Sequence, residues 1–170
     1  MDYKKSLIIR LILALIIALI GNKLFYFVLF KPTFYFSYIL LLKYNPVILN
    51  TSFLINGYNL NFVPACLALS AYSLLAVLIL LTKDISIKKS IKIFITGSLV
   101  IFTVNIIRIF ILALILIELD IKLFNNLHLF LWQILSTLFV VILWVYLTKL
   151  YKVKTIPVYS DFKELSNKIK

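Results

Sequence analysis

The stretch on which the fold turns reads "NGYNLNFVPACLALSAYSLLAVLILLT", residues 56–82. Three regimes follow one another along it. Asn56-Gly57 is a strong signal for a two-residue hairpin turn, because both residue types tolerate the left-handed backbone such a turn needs. Tyr58, Leu60 and Phe62 then alternate with Asn59 and Asn61, and before the turn Thr51, Phe53 and Ile55 alternate with Asn50, Ser52 and Leu54. Period two on both flanks predicts a β-hairpin. Pro64 ends the alternation, and from there to Thr82 the chain is apolar over a length that suits a membrane helix. The only cysteine, Cys66, stands at the junction.

Outward from this segment, three further apolar runs appear at about 6–29, 91–117 and 125–148. The whole chain of 170 residues is 64% hydrophobic, with a mean hydropathy of +1.09. A soluble domain is nearer half apolar, and a chain of this size has too little interior to hide such a surface from water. The expected fold is an all-α membrane protein with about four transmembrane helices and a small extracytoplasmic β-hairpin. Between the first two spans, Pro32 is expected to start a short helix, "TFYFSYILLLKY" at 33–44, that Asn45-Pro46 stops. Twelve residues rise only about 18 Å, so this piece reads as interfacial or re-entrant. Residues 1–149 form a single integral membrane domain in this reading, and 150–170 a basic cytoplasmic tail. The first apolar run is longer than a signal-peptide core and lacks a clear small-residue cleavage site, so it reads as a retained helix.

The formal net charge of +12 does not point to nucleic acid, because of where the cations lie. Lys4, Lys5 and Arg10 open the first run; Lys83, Lys88, Lys89 and Lys92 fill the link between the second and third; Lys149, Lys152, Lys154, Lys163, Lys168 and Lys170 follow the fourth. With four spans these groups share one side, which sets both termini in the cytoplasm of a multi-pass cell-membrane protein. The opposite links hold only Lys31, Lys43 and Lys122. One cysteine excludes an internal disulfide, and one histidine excludes a His-pair motif, so neither a metal nor a cofactor is expected.

Three polar residues then fall at one depth. Cys66 is expected in the first turn of the second helix and His128 in the first turn of the fourth, both at the outer end. Arg108 lies seventeen residues past Ile91, about 25 Å up a helix that enters from the cytoplasm, near the outer edge of a core about 30 Å thick. Each has a bland reading: a free cysteine as a small buried hydrophobe, a histidine as an interfacial polar group, an arginine that snorkels to the headgroups. An arginine inside a membrane helix is nonetheless a functional-site hypothesis by default. Together the three suit nucleophilic catalysis. His128 would take the thiol proton and return one to the leaving amine. Arg108, which cannot act as a base, would hold the thiolate or the oxyanion. Asn105 shares the helix face of Arg108. Ser70, four residues after Cys66, and Trp132, four after His128, are supporting candidates, with close helix packing and an aromatic-belt role as their alternatives.

These residues resemble the exosortase and archaeosortase family of membrane-embedded cysteine transpeptidases. The shared pattern is Ala65-Cys66 opening a membrane helix, Asn105-Ile106-Ile107-Arg108 on a later one, and His128 in "NLHLFLW" opening the last. The likeness covers roughly 47–148. Leu67 and Ala68 follow the cysteine, where the family often has a hydroxyl residue and then glycine. The resemblance implies catalytic roles for Cys66, Arg108 and His128. It implies cleavage of the C-terminal tripartite sorting signal of secreted proteins through a cysteine thioester, at the outer membrane face. The acyl group would pass to an acceptor amine such as that of a lipid headgroup. The rival reading is a non-enzymatic small membrane protein, such as a transporter's substrate-binding subunit, that uses Arg108 to bind an anionic solute.

Overall fold

The computed structural model describes residues 3–83, 85–119, 121–131 and 136–153. Within them the chain is mostly helical, with one small antiparallel sheet. Helix α1 (Tyr3–Leu41) leads through a 3₁₀ turn (Leu42–Tyr44) into strands β1 (Val47–Leu49), β2 (Ser52–Ile55) and β3 (Tyr58–Asn61). A second 3₁₀ turn (Pro64–Leu67) precedes helix α2 (Leu69–Leu81). Then come α3 (Ile87–Glu118), α4 (Ile121–Phe130) and α5 (Ser136–Leu150). The expected Trp132 and nearly all of the basic tail, 154–170, lie outside the described residues.

Two helices are long and apolar enough to cross a membrane by length and composition, within Lys5–Tyr44 and Ile87–Glu118; Leu69–Leu81 and Ser136–Leu150 are apolar but shorter. The separate helix expected at 33–44 does not form. Pro32 sits inside α1, which continues without interruption to Leu41. Proline costs the helix one backbone hydrogen bond, and tertiary packing offsets that loss. Immediately after Pro32, Thr33, Phe34, Ser37 and Leu41 are buried. The Phe34 ring packs 4.4 Å from Phe53 and 5.2 Å from Phe62, with Phe53 and Phe62 5.0 Å apart. Aromatic contacts of this kind add about 0.5–1.5 kcal/mol each beyond their buried area, so the end of α1 is clamped to the sheet.

The hairpin forms as its alternation predicts. Ile55 pairs with Tyr58 across Asn56-Gly57, whose φ angles of 49° and 83° are both left-handed, the geometry of a type I′ turn. A third strand, β1, was not expected: Val47–Leu49 pairs with the outer edge of β2, so the order is β1-β2-β3. Asn50, at φ 46°, makes the tight connection. Phe53, Ile55 and Phe62 face a core completed by Phe34, Leu41, Ile109 and Ala113.

A second core joins α2, α3 and α5 through Tyr72, Leu75, Ile93, Ile101, Val140, Trp144 and Leu147. Two polar contacts fix α1 against α2. Arg10 donates from Nε to the Leu80 carbonyl at 3.0 Å and from Nη2 to that of Leu81 at 2.7 Å, satisfying carbonyls that the helix end leaves open. Ser73 Oγ donates to Asn22 Oδ1 at 3.0 Å. Beyond them, the Tyr44 hydroxyl reaches Glu118 Oε1 at 2.6 Å and ties the ends of α1 and α3.

Two sequence expectations about the site's scaffold change. Cys66 is not in the first turn of α2. It lies on the 3₁₀ turn, separated from α2 by Ala68, which adopts the left-handed conformation at φ 51°, ψ 34°. Pro64 holds the first position of that turn, where its missing N–H costs nothing. Nor is His128 in the first turn of its helix, which begins at Ile121. It stands in the last turn of α4, a ten-residue helix with no buried residue; Lys122, Asn125 and Asn126 give that helix a polar side a spanning segment would lack.

Packing of α3 against its neighbours runs through Gly97, where an added Cβ would lie 2.6 Å from Leu75 Cδ2 and 3.0 Å from Leu147 Cδ1. Gly97→Val is expected to cost about 1–3 kcal/mol through overpacking. Thermal unfolding in detergent, followed by circular dichroism, should show a lowered midpoint with the helical signal of the folded state retained.

Candidate active site

The site begins with two hydrogen bonds from α3. Arg108 donates from Nη2 to the Ala65 carbonyl at 3.0 Å, and Asn105 donates from Nδ2 to the Cys66 carbonyl at 2.8 Å. The i,i+3 spacing puts both donors on one helix face. Both acceptors belong to the 3₁₀ turn, whose left-handed exit at Ala68 diverts these carbonyls from the hydrogen-bond ladder of α2. The turn closes on itself through the Cys66 N–H, which donates to the Val63 carbonyl at 2.8 Å. The cysteine backbone is therefore held from three directions.

A cavity of about 340 Å³ opens in front of it, and Cys66, Arg108 and His128 all line its wall. The whole of β3 with Phe62 and Val63 forms one side, and Phe124, Asn125 and His128 of α4 face it. His128 stacks on Phe124, four residues earlier, at 5.6 Å and 27°, which fixes the imidazole plane. Cys66 Sγ lies 3.9 Å from the Asn61 carbonyl oxygen, within reach of a weak S–H hydrogen bond. Cys66 is half-buried and unbonded to other sulfur.

The three residues singled out by depth in the sequence are thus brought to one cavity, and Asn105 positions the backbone beside the thiol. Ser70 is not part of it: it lines a separate small cavity with Ala71, Leu74 and residues of α5. Trp132 lies outside the described residues. The sequence reading missed Asn61 and Phe124. Phe124 was legible as the i−4 neighbour of His128. Asn61 looked like the solvent side of a hairpin, and only the path of β3 into the 3₁₀ turn brings its carbonyl to the sulfur.

Arg108 and Asn105 also border a second cavity, of about 360 Å³, lined by apolar side chains of α3 and α5 that include Ile101, Ile107 and Phe139. Arg108 Nε and Asn105 Oδ1 are buried without a partner among the described residues. A guanidinium N–H and an amide oxygen are therefore uncommitted on the face of α3 that holds the 3₁₀ turn.

Cys66 and His128 stand on the 3₁₀ turn and α4, outside α1, α2, α3 and α5. Burial pushes the Cys66 thiol up from its ordinary range, while the Val63 backbone beside the sulfur and the positive charge of Arg108 pull it down less strongly. Burial, and then the charge of Arg108, lower the His128 imidazole. Both shifts favour the neutral forms, thiol and imidazole. That is the state in which histidine accepts a proton from sulfur. The N-terminal field of α2, which would favour a thiolate, starts only at Leu69, past the sulfur. Among the described residues no group of three or more His, Cys, Asp or Glu side chains is placed to hold a metal ion.

No family model matches the chain, and neither the curated proteins nor the solved structures give a match.

The rate of Cys66 alkylation by iodoacetamide, measured against pH, should rise with a midpoint above the free-thiol value of about 8.5. Arg108→Gln removes the charge that favours the thiolate, so its midpoint should lie higher still. A midpoint that falls in the variant would contradict the electrostatic role given to Arg108.

Proposed function

We propose that this chain is a membrane-embedded cysteine protease or transpeptidase of the exosortase/archaeosortase type. The observation that carries the reading is the meeting of Cys66, Arg108 and His128, from three separate elements, in one cavity walled by a β-strand edge.

In this reading α1, α2, α3 and α5 are the four spans, with both termini cytoplasmic. Support comes from the apolar surface: Leu19, Phe27 and Leu99 are more than 60% exposed on α1 and α3, which suits lipid rather than water. The 39 residues of α1 rise about 58 Å, well beyond a hydrocarbon core of about 30 Å. Its far end therefore emerges to carry the sheet. Arg108 lies twenty-one residues past Ile87, the first residue of α3, about 31 Å up, so the cavity sits at the outer boundary.

Catalysis proceeds by proton transfer from Cys66 to His128 and attack of the thiolate on a substrate carbonyl carbon. The negative charge moves to the carbonyl oxygen, where the Arg108 guanidinium that lines the cavity stabilises it. The tetrahedral intermediate collapses with cleavage of the C–N bond, and His128 returns its proton to the leaving amine. The thioester is resolved by an acceptor amine, such as that of a lipid headgroup, or by water, and the thiol is regenerated. The substrate is the C-terminal sorting signal of a secreted protein: a short motif, a hydrophobic helix and a basic cluster.

The test is processing, in cells, of secreted proteins from the same genome that end in such a tail. Cys66→Ala is expected to abolish cleavage, and His128→Ala to slow it by roughly 10²–10⁴-fold, at matched expression. Cleavage that persists in Cys66→Ala would sink the reading, and would leave an arginine-based solute carrier as the better account.

A further inference from the structure

We infer that the free edge of β3 is the substrate-binding strand: an extended peptide adds to it as a fourth strand, pairing with the backbone of Asn59 and Asn61, which lays a peptide carbonyl over Cys66. This rests on the cysteine chemistry proposed above and specifies how its substrate is held.

The pairing register decides which backbone groups are open. The Phe62 N–H donates to the Thr51 carbonyl at 3.0 Å, and Ser52 pairs with Asn61, Phe53 with Leu60, Leu54 with Asn59 and Ile55 with Tyr58. In an antiparallel ladder, hydrogen-bonded and non-bonded pairs alternate. Thr51–Phe62, Phe53–Leu60 and Ile55–Tyr58 are thus the bonded pairs. The N–H and C=O groups of Asn59 and Asn61 point the other way, toward the outer edge of β3. Among the described residues no further strand covers that edge, since the sheet ends at β3.

The edge is also continuous with the site. Tyr58 through Val63 line the cavity that holds Cys66 and His128, and the Asn61 carbonyl is the group to which the Cys66 thiol turns at 3.9 Å. Side chains do not block the approach: Asn59 and Asn61 are exposed, while Phe62 and Leu60 pack into the core on the opposite face. An unpaired strand edge is a template for another backbone and little else. Its alternate open groups set a two-residue repeat for whatever binds. A peptide N–H that pairs with the Asn61 carbonyl also competes with the Cys66 S–H for that oxygen. Substrate docking therefore frees the thiol proton for His128.

The probe is a pool of acetylated pentapeptide chloromethyl ketones, Ac-X-X-X-X-Gly with X mixed, applied to the full chain in detergent. Its rate of Cys66 alkylation is compared with that of N-acetylglycine chloromethyl ketone. Two further pools carry N-methyl groups on the first and third, or on the second and fourth, of the X amides, and so remove alternate donors. The unmethylated pool is expected to react about tenfold faster than the single-residue reagent. One methylated pool should keep that gain and the other lose it, since tenfold corresponds to about 1.4 kcal/mol, the scale of one or two net hydrogen bonds. Equal loss in both pools, or no gain at all, overturns strand addition while leaving Cys66 reactive. Absence of alkylation by every reagent overturns the cysteine chemistry itself, and this assignment with it. A dimer through β3 edges, with no gain from the peptide, overturns the assignment in favour of a second copy as the occupant.

Discussion

The site depends on one constraint: an arginine and an asparagine on α3 have to find acceptors in apolar surroundings, and the acceptors they find are the carbonyls of Ala65 and Cys66. Hydrogen bonds from a charged donor contribute about 1.5–3 kcal/mol each, and an arginine left unpaired in a membrane costs more than that. The 3₁₀ turn is therefore not a loose connector. It is the counterpart of the guanidinium, and its carbonyls are free to serve because Ala68, at φ 51°, turns the chain before α2 begins. Once that turn is fixed on α3, the direction of β3, the start of α2 and the position of the sulfur follow from covalent connection.

The sheet and α1 supply the opposite wall. The cluster of Phe34, Phe53 and Phe62 holds β2 and β3 against the continuation of α1 past Pro32. This places a strand edge, rather than a flexible loop, beside the cysteine. A rigid edge suits a reaction whose electrophile is a backbone carbonyl, because positioning the reacting atoms is itself worth several kcal/mol of barrier. The resting chemistry is consistent with that arrangement. In the proposed reaction the neutral thiol and neutral imidazole share one cavity, and attack waits on a substrate that reorganises the contacts of the sulfur.

Arg108 borders two cavities of similar size and different character. One is framed by the strand edge and α4, and the other by aliphatic side chains of α3 and α5. The guanidinium is thus the boundary between a space walled by a strand edge and an apolar one. In the proposed function such a boundary would suit a sorting signal, which passes from a short extended motif to a hydrophobic helix.

The sequence by itself determined the elements whose signals are local. Asn56-Gly57 and the alternation around it specified a hairpin, because turn geometry and side-chain direction are set within a few residues. Four long apolar runs specified helices, and the rarity of polar residues in them singled out Cys66, Arg108 and His128. Tertiary structure alone decided the rest. The 33–44 segment joined α1 despite Pro32, because Phe34 and Leu41 gain more from burial against the sheet than the helix loses at one missing hydrogen bond. Cys66 moved off α2 onto its own turn, because the carbonyls of Ala65 and Cys66 bond to α3 instead of continuing a helix. Ser70, four residues away on paper, faces another cavity, since the left-handed residue at Ala68 breaks the helical spacing on which that inference relied. The Asn61 carbonyl came to the sulfur only through the path of the chain from β3 into the turn, a relation between backbone directions that no pattern of side chains encodes.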